Sequence, residues 1–262
     1  MTHAPCFVLT TMIIKQAVIL AGGRGERLRP LTDEIPKPLA PVNGIPFLDY
    51  LIHSIREAGI ERVVMLLGYK AEMVMHRYGS SKLGIQFSYS VGSVDDQTGR
   101  RLFNAYHLLD EYFMFLYSDN YWPIELNDML RLYETKRAKA LTTVFSNKNG
   151  TSEYGKENNV EVEEDSFVRR YDKKRTSTDL NGVDIGYFLV AKNVLDPKRA
   201  GNVSFEEDLL PEFIARRELV AYVTDTQYYY ITSLQSLKNF EVAVKQNRIQ
   251  SIKIGDSTGI VE

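Results

Sequence analysis

Apolar residues in the first half of the chain fall into short unbroken runs, and each run is followed by a segment whose apolar positions recur at helical spacing. QAVIL (16–20) reads as a strand buried on both faces, since no polar residue interrupts Ala17–Leu20. PFLDYLIHSIREAG (46–59) then puts Phe47, Leu48, Leu51, Ile52 and Ile55 on one helical face, with Gly59 as the residue that stops the helix. RVVMLLG (62–68) repeats the strand pattern. AEMVMHRYG is a short helix, IQFSYS (85–90) a third strand, RLFNAYHLLDEY a helix and FMFLYS (113–118) a fourth strand. This alternation predicts right-handed crossovers and a parallel sheet with helices on both faces.

The second half is patterned differently. ALTTVFSN (140–147) reads as another strand, and NVEVEEDSFVRRYDKK (159–174) alternates polar and apolar residues around an acidic turn, as a hairpin does. GVDIGYFLVAKNVL predicts a strand leading into a helix. SFEEDLLPEFIARREL predicts a helix with Ser204 as N-cap and Glu207 completing a capping box. LVAYVTD and YYYIT are short strands. No repeat or linker interrupts the chain. The expected fold is α/β: a Rossmann-like, mostly parallel sheet flanked by helices and extended by a mixed or antiparallel lobe. Residues 1–14 read as an N-terminal extension, with Met12 as an alternative start, 15–245 as one domain and 246–262 as a tail.

Composition adds limits rather than detail. The 262 residues are 44% hydrophobic and 25% charged, enough for one large domain or two small ones with a real core. Against 34 Asp and Glu stand 32 Lys and Arg, a net charge of -2, so no nucleic-acid or membrane partner is expected and any anion site must be local. Cys6 is the lone cysteine, which excludes an intrachain disulfide and a multi-cysteine zinc site, and suggests a reducing, cytoplasmic address. MTHAPCFVLTTMII lacks the basic start of a signal peptide, and no run reaches the ~20 apolar residues that span a bilayer.

One local anion site stands out. LAGGRGERLRPLT (20–32) follows the first strand directly. Glycines there let backbone N–H groups approach a phosphate, and Arg24, Arg27 and Arg29 offer planar donor forks to its oxygens. The loop is neither a Walker A sequence nor a dinucleotide fingerprint, since it lacks both G-K-[ST] and G-x-G-x-x-G.

The longer stretch AGGRGERLRPLTDEIPKPLAPVNGIPFLDYLI strongly resembles the N-terminal signature of the sugar-phosphate nucleotidylyltransferases. The matching positions are Gly22, Gly23, Gly25, Arg27, Leu28, Pro30 and Thr32, then Pro36, Lys37 and Pro38, then Pro46. In wording it is closest to the heptose and mannose 1-phosphate guanylyltransferases. The resemblance implies an enzyme that joins a nucleoside triphosphate, GTP favoured, to a sugar 1-phosphate and releases pyrophosphate with Mg²⁺. It divides the domain into a nucleotide-binding half (about 15–147) and a sugar-binding half (about 148–245).

By resemblance, Leu20, Ala21, Gly22, Gly23, Arg24, Gly25 and Gly99 bind the nucleotide, and Arg27 and Lys37 neutralise its phosphates. Asp119, at the end of a strand in LYSDNYW, holds Mg²⁺ and contacts the nucleotide. Lys173, with Asp172, matches a segment whose lysine grips the incoming sugar phosphate, and Tyr154, Gly155 and Asp184 fall at sugar-pocket positions. Family members are often oligomers, so a homo-oligomer is allowed for.

Two departures are visible. Small residues are expected after Gly99, where DDQTGRRLFNA has Arg100 and Arg101, which either cap a helix from outside or contact phosphate or sugar. The family's second metal carboxylate aligns with Tyr230 in YYYITSLQSLKNF, and a phenol is a poor Mg²⁺ ligand at neutral pH. Either Asp119 acts with phosphates and water, or Asp184 or Asp225 substitutes, or activity is lost and the chain is a nucleotide-sugar-binding regulatory subunit. A transferase using CTP, UTP or dTTP, or one acting on another sugar or headgroup phosphate, also remains open.

Overall fold

β1 (Gln16–Ala21) leads through a 3₁₀ turn at Glu26–Leu28 into the short helix α1 (Leu31–Glu34) and a second 3₁₀ turn at Lys37–Leu39. β2 (Pro41–Val42) and β3 (Ile45–Pro46) pair as a tight hairpin ahead of α2 (Phe47–Glu57). Then come β4 (Arg62–Leu67), α3 (Ala71–Tyr78), β5 (Ser81–Lys82), β6 (Ile85–Val91), α4 (Thr98–Asn104), β7 (Tyr112–Tyr117), β8 (Asn120–Tyr121), α5 (Leu126–Lys136) and β9 (Ala140–Phe145). A hairpin of β10 (Val160–Val162) and β11 (Val168–Tyr171) precedes β12 (Val183–Ala191), α6 (Leu210–Ala215), β13 (Leu219–Thr224), β14 (Tyr229–Tyr230) and α7 (Leu234–Lys245). These elements come from a computed structural model that describes residues 12–147 and 158–249.

One eight-stranded sheet organises the molecule, in the order β13-β9-β12-β7-β1-β4-β6-β5. β1 pairs in parallel with β4 and β7, β4 with β6, and β9 with β13. β12 runs antiparallel between β7 and β9, and β5 antiparallel at the far edge. The α/β architecture is the expected one. Its antiparallel component is β12 inside the main sheet and β5 at its edge, as well as the separate β10–β11 hairpin.

Strand alternation sorts the core into two layers. Ile19, Met65, Met114 and Leu116 face a cluster supplied by α2, α3, α5 and α7, whereas Val18, Val64, Phe113 and Phe115 face one supplied by α4, α6 and the hairpin. Both faces being covered explains why the strands read as continuous apolar runs.

Local expectations fail in four places. The helix expected from Arg101 to Tyr112 begins earlier, at Thr98, and ends at Asn104, followed by a 3₁₀ turn at Tyr106–Leu108. Side chains from outside take over its carbonyls: Gln16 Nε2 donates to Leu108 O (2.9 Å) and Lys192 Nζ to Leu109 O (2.8 Å). After β12 only a 3₁₀ turn forms (Lys192–Val194), because Asp196 precedes Pro197 and is steered away from helical geometry.

The third concerns the cap at Ser204. Ser204 Oγ does accept from Glu207 N (3.1 Å), but Ser204 N donates to Asp208 Oδ2 (2.7 Å), so Asp208 and not Glu207 closes the cap. Its first turn, Phe205–Leu209, is a π-helical turn, and the wider winding brings the next residue over the N-cap. The fourth is a pair of helices that the pattern did not announce, α5 and, near the end of the described residues, α7. The latter buries Leu237, Phe240, Ala243 and Val244 and starts with a Ser233–Ser236 capping box.

Candidate active site

The C-terminal ends of β1 and β7 open onto one cleft of about 560 Å³. Ligand sites of open parallel sheets lie at this edge. Leu20 to Arg27 form one wall, Lys37 and Pro38 a second, and Tyr117, Ser118 and Asp119 the floor at the end of β7, with Val94, Glu206 and Thr232 completing the lining.

Gly25 shapes the glycine-rich loop. Its φ of +67° is left-handed, and a Cβ there would lie 2.9 Å from the Lys37 Cβ and 3.0 Å from the Thr32 Cγ2. The loop is tied down from below, since Thr32 Oγ1 donates to Gly25 O (3.0 Å). Arg24 and Arg27 are exposed and face the cleft, whereas Arg29 pairs with Asp33 (3.2 Å) and does not line it. At the centre, Lys37 Nζ meets Asp119 Oδ2 at 2.6 Å, with 13% and 26% of the two side chains exposed.

Glu206 is the residue the sequence pattern did not single out. It is buried and accepts hydrogen bonds from three hydroxyls: Tyr117 (2.5 Å), Thr98 (2.6 Å) and Ser204 (3.0 Å). Burial and the Glu206 charge push the Tyr117 phenol well above its ordinary range. Asp184 accepts from Thr142 Oγ1 (2.9 Å) and Gly186 N (3.0 Å). Burial, reinforced by the Glu206 charge, pushes its carboxyl up to about 6. Nothing local marks Glu206, which sits among the acidic residues of an amphipathic segment and acquires two of its three partners from elements about a hundred residues away.

The remaining expected site residues are placed elsewhere. Gly99 is not among the lining residues; it packs on the Val203–Ser204 backbone, where a Cβ would come 2.9 Å from Val203 O. Asp172 organises its own loop, accepting from Lys174 N, Thr176 N and Ser177 N at 2.9–3.0 Å, so it is spent on backbone rather than turned to the cleft. Lys173 lies outside the lining and pairs with Glu207 (3.5 Å), the residue after Glu206. Tyr154 and Gly155 lie outside the described residues. Arg100 donates to Arg199 O and Gly201 O and Arg101 to main-chain carbonyls, so neither faces the cleft as a phosphate ligand.

Tyr230 stands beside Asp119. It pairs with Asn120, and Ile231 N donates to Asp119 O (2.9 Å). Asp184 and Asp225 are not among the lining residues, and Asp225 accepts from Ser146. Among the described residues no three His, Cys, Asp or Glu side chains converge as a ready-made metal site. The donor set on the cleft floor is one partly exposed carboxylate, Asp119, and Mg²⁺ accepts one or two carboxylates together with phosphates and water. These residues fit a metal that arrives with a phosphate ligand. No helix among the described residues is long and apolar enough to cross a membrane.

The nucleotidyl transferase family profile matches residues 16–238. The chain belongs to the nucleotidyl transferase family. A D-glycero-alpha-D-manno-heptose 1-phosphate guanylyltransferase of Campylobacter jejuni is 31% identical over 197 residues, covering 74% of this chain and 84% of that protein. A probable glucose-1-phosphate cytidylyltransferase of Bacillus subtilis is 29% identical over 264 residues, 90% of this chain and 98% of that protein. Among solved structures, HddC of Yersinia pseudotuberculosis complexed with GMP-PN superposes with a TM-score of 0.69 at 20% identity, covering 86% of this chain and 97% of that one. At that identity the likeness concerns the fold.

Proposed function

We propose that this nucleotidyltransferase couples a nucleoside triphosphate, GTP in the first instance, to a sugar 1-phosphate of heptose or mannose type, releasing pyrophosphate and forming a nucleotide sugar. The observation that carries the reading is the convergence of the glycine-rich loop, Arg27, Lys37 and Asp119 on one cleft at the C-terminal edge of the parallel strands. The guanylyltransferase from Campylobacter jejuni supports GTP and a heptose, and the cytidylyltransferase from Bacillus subtilis keeps CTP in the comparison.

A sugar phosphate oxygen attacks the α-phosphorus, the new P–O bond forms as the α–β bridge breaks, and the electron pair leaves with pyrophosphate. Two polyanions meet, so the protein has to position them and offset their charge, and no protein nucleophile is needed. Gly22–Gly25 offer backbone N–H groups to the triphosphate, and Arg27 and Lys37 supply cations. Asp119 is the carboxylate that would hold Mg²⁺, which supplies Lewis-acid stabilisation of phosphate charge when bound. Until then Lys37 neutralises it.

Pyrophosphate release measured across five nucleoside triphosphates against heptose, mannose and glucose 1-phosphates tests this directly. Turnover with one pair is expected, and Lys37→Ala is expected to cost roughly 10²–10³ in kcat, the range for removing one charge-stabilising group. Asp119→Ala is expected to abolish the metal dependence together with turnover. Tyr230 beside Asp119 favours a second reading, a regulatory subunit that binds a nucleotide sugar without converting it. No turnover with any pair, alongside tight nucleotide-sugar binding by calorimetry, would decide for that one.

A further inference from the structure

Arg101, on α4, is 5% exposed. Its guanidinium donates to five main-chain carbonyls drawn from three separate segments. Nη1 reaches Leu67 O at the end of β4 (2.8 Å), and Nε reaches Asp96 O (3.1 Å). Nη2 reaches Ser93 O (2.7 Å), Val94 O (3.2 Å) and Gly22 O (3.4 Å). None of these partners is a carboxylate. A buried cation given only carbonyls is held for its geometry, because the planar fork fixes the direction of every bond it makes.

Two of the segments it joins line the cleft, one through Gly22 and the other through Val94. The guanidinium also fills the space a side chain would need. A Cβ on Gly22 would stand 2.3 Å from Nη1, and one on Gly68 would stand 2.9 Å from the same atom. The glycine at 22 is therefore required by Arg101 as well as by any ligand above it.

We propose that Arg101 is a positioning residue for the nucleotide. It pins the glycine-rich loop and the Ser93–Asp96 loop to the end of β4, and so sets the spacing of these two parts of the cleft lining against the nucleotide. It touches no substrate itself. The proposal rests on the nucleotidyl-transfer reading above. It locates nucleotide affinity, and selectivity among bases, partly in a residue that lies behind the loop. Sugar 1-phosphate binding is independent of it.

The test uses Arg101→Lys, Gly22→Ala and the double variant, each checked for a cooperative melt. A lysine keeps the charge but offers donors from one nitrogen and cannot span three segments. Affinity is read by calorimetry with non-hydrolysable nucleoside triphosphates, and KM is read for each substrate. Arg101→Lys is expected to raise Kd and KM for the triphosphate roughly tenfold to hundredfold, the scale of a misplaced binding element, and to narrow the preference between the best and second-best base. KM for the sugar 1-phosphate stays at the wild-type value. Gly22→Ala gives the same signature, and the double variant loses less than the product of the two because the smaller cation relieves the contact.

Wild-type nucleotide affinity and base preference in folded Arg101→Lys would overturn the proposal, as would equal increases in both KM values. Should Arg101→Lys fail to fold, wild-type nucleotide binding by Gly22→Ala overturns it equally. If the wild type neither turns over nor binds any triphosphate, the reading beneath fails first and takes the proposal with it.

Discussion

The Lys37–Asp119 pair joins two positions that are 82 residues apart, and both halves are held by local geometry. Lys37 opens a 3₁₀ turn between two prolines, and Asp119 follows the last residues of a buried strand. Gly25 lets the loop pack directly against the Lys37 stem, which makes it a sensitive position. Gly25→Ala places a Cβ in the left-handed region, at a cost of about 1–2 kcal/mol, and against the lysine stem. We expect KM for the triphosphate to rise and kcat to fall while the protein still folds. Steady-state kinetics beside a thermal melt checks this, and unchanged kinetics would mean that the lysine is not held by the loop. Gly22, Gly25, Arg27 and Lys37 were legible because they share one contiguous stretch. Glu206 and the clamp made by Arg101 were not, because their partners are hydroxyls and carbonyls brought from distant segments.

Elements were read well where packing alone decides them. β1, α2, β4 and β6 lie within a residue or two of their expected ends, because their apolar periodicity is the burial pattern itself. Failures occurred where a side chain from elsewhere ends a helix, as Gln16 and Lys192 do after α4, or where winding changes, as in the π turn at Phe205–Leu209. Ser204 caps that turn and also donates to Glu206. Ser204→Ala should cost about 1 kcal/mol, the usual price of an N-cap, and lower the melting temperature by roughly 2–4 °C. Calorimetry reads the shift, and an unaltered melt would assign the cap to Asp208 alone.

For the whole molecule, the antiparallel β12 between β7 and β9 carries Asp184 to a half-buried position. A carboxyl raised to about 6 by burial binds its proton more tightly folded than unfolded. Its charged form therefore penalises the fold above that value, and the penalty is relieved as pH falls from about 6 towards the unfolded carboxyl near ~4. Relative to Asp184→Asn, which keeps an acceptor for Thr142 and Gly186, the wild type should gain about 2 kcal/mol between about pH 7 and about pH 4.5. Denaturant midpoints of both proteins across that window measure it. Parallel curves would show that the carboxyl does not titrate there.

The chain by itself determined the α/β class, through apolar runs that only a sheet covered on both faces satisfies. It also determined the phosphate-suited loop and the Pro-Lys-Pro turn, whose glycines, prolines and charges act over a few residues. Tertiary structure decided which strands are neighbours, that Lys37 rests on Asp119, that Tyr230 stands beside that carboxylate, and that Arg101 stitches two loops to the end of β4. Local periodicity encodes which face of an element is buried. Contacts between elements follow from the order in which those faces pack, and no short stretch of sequence contains it.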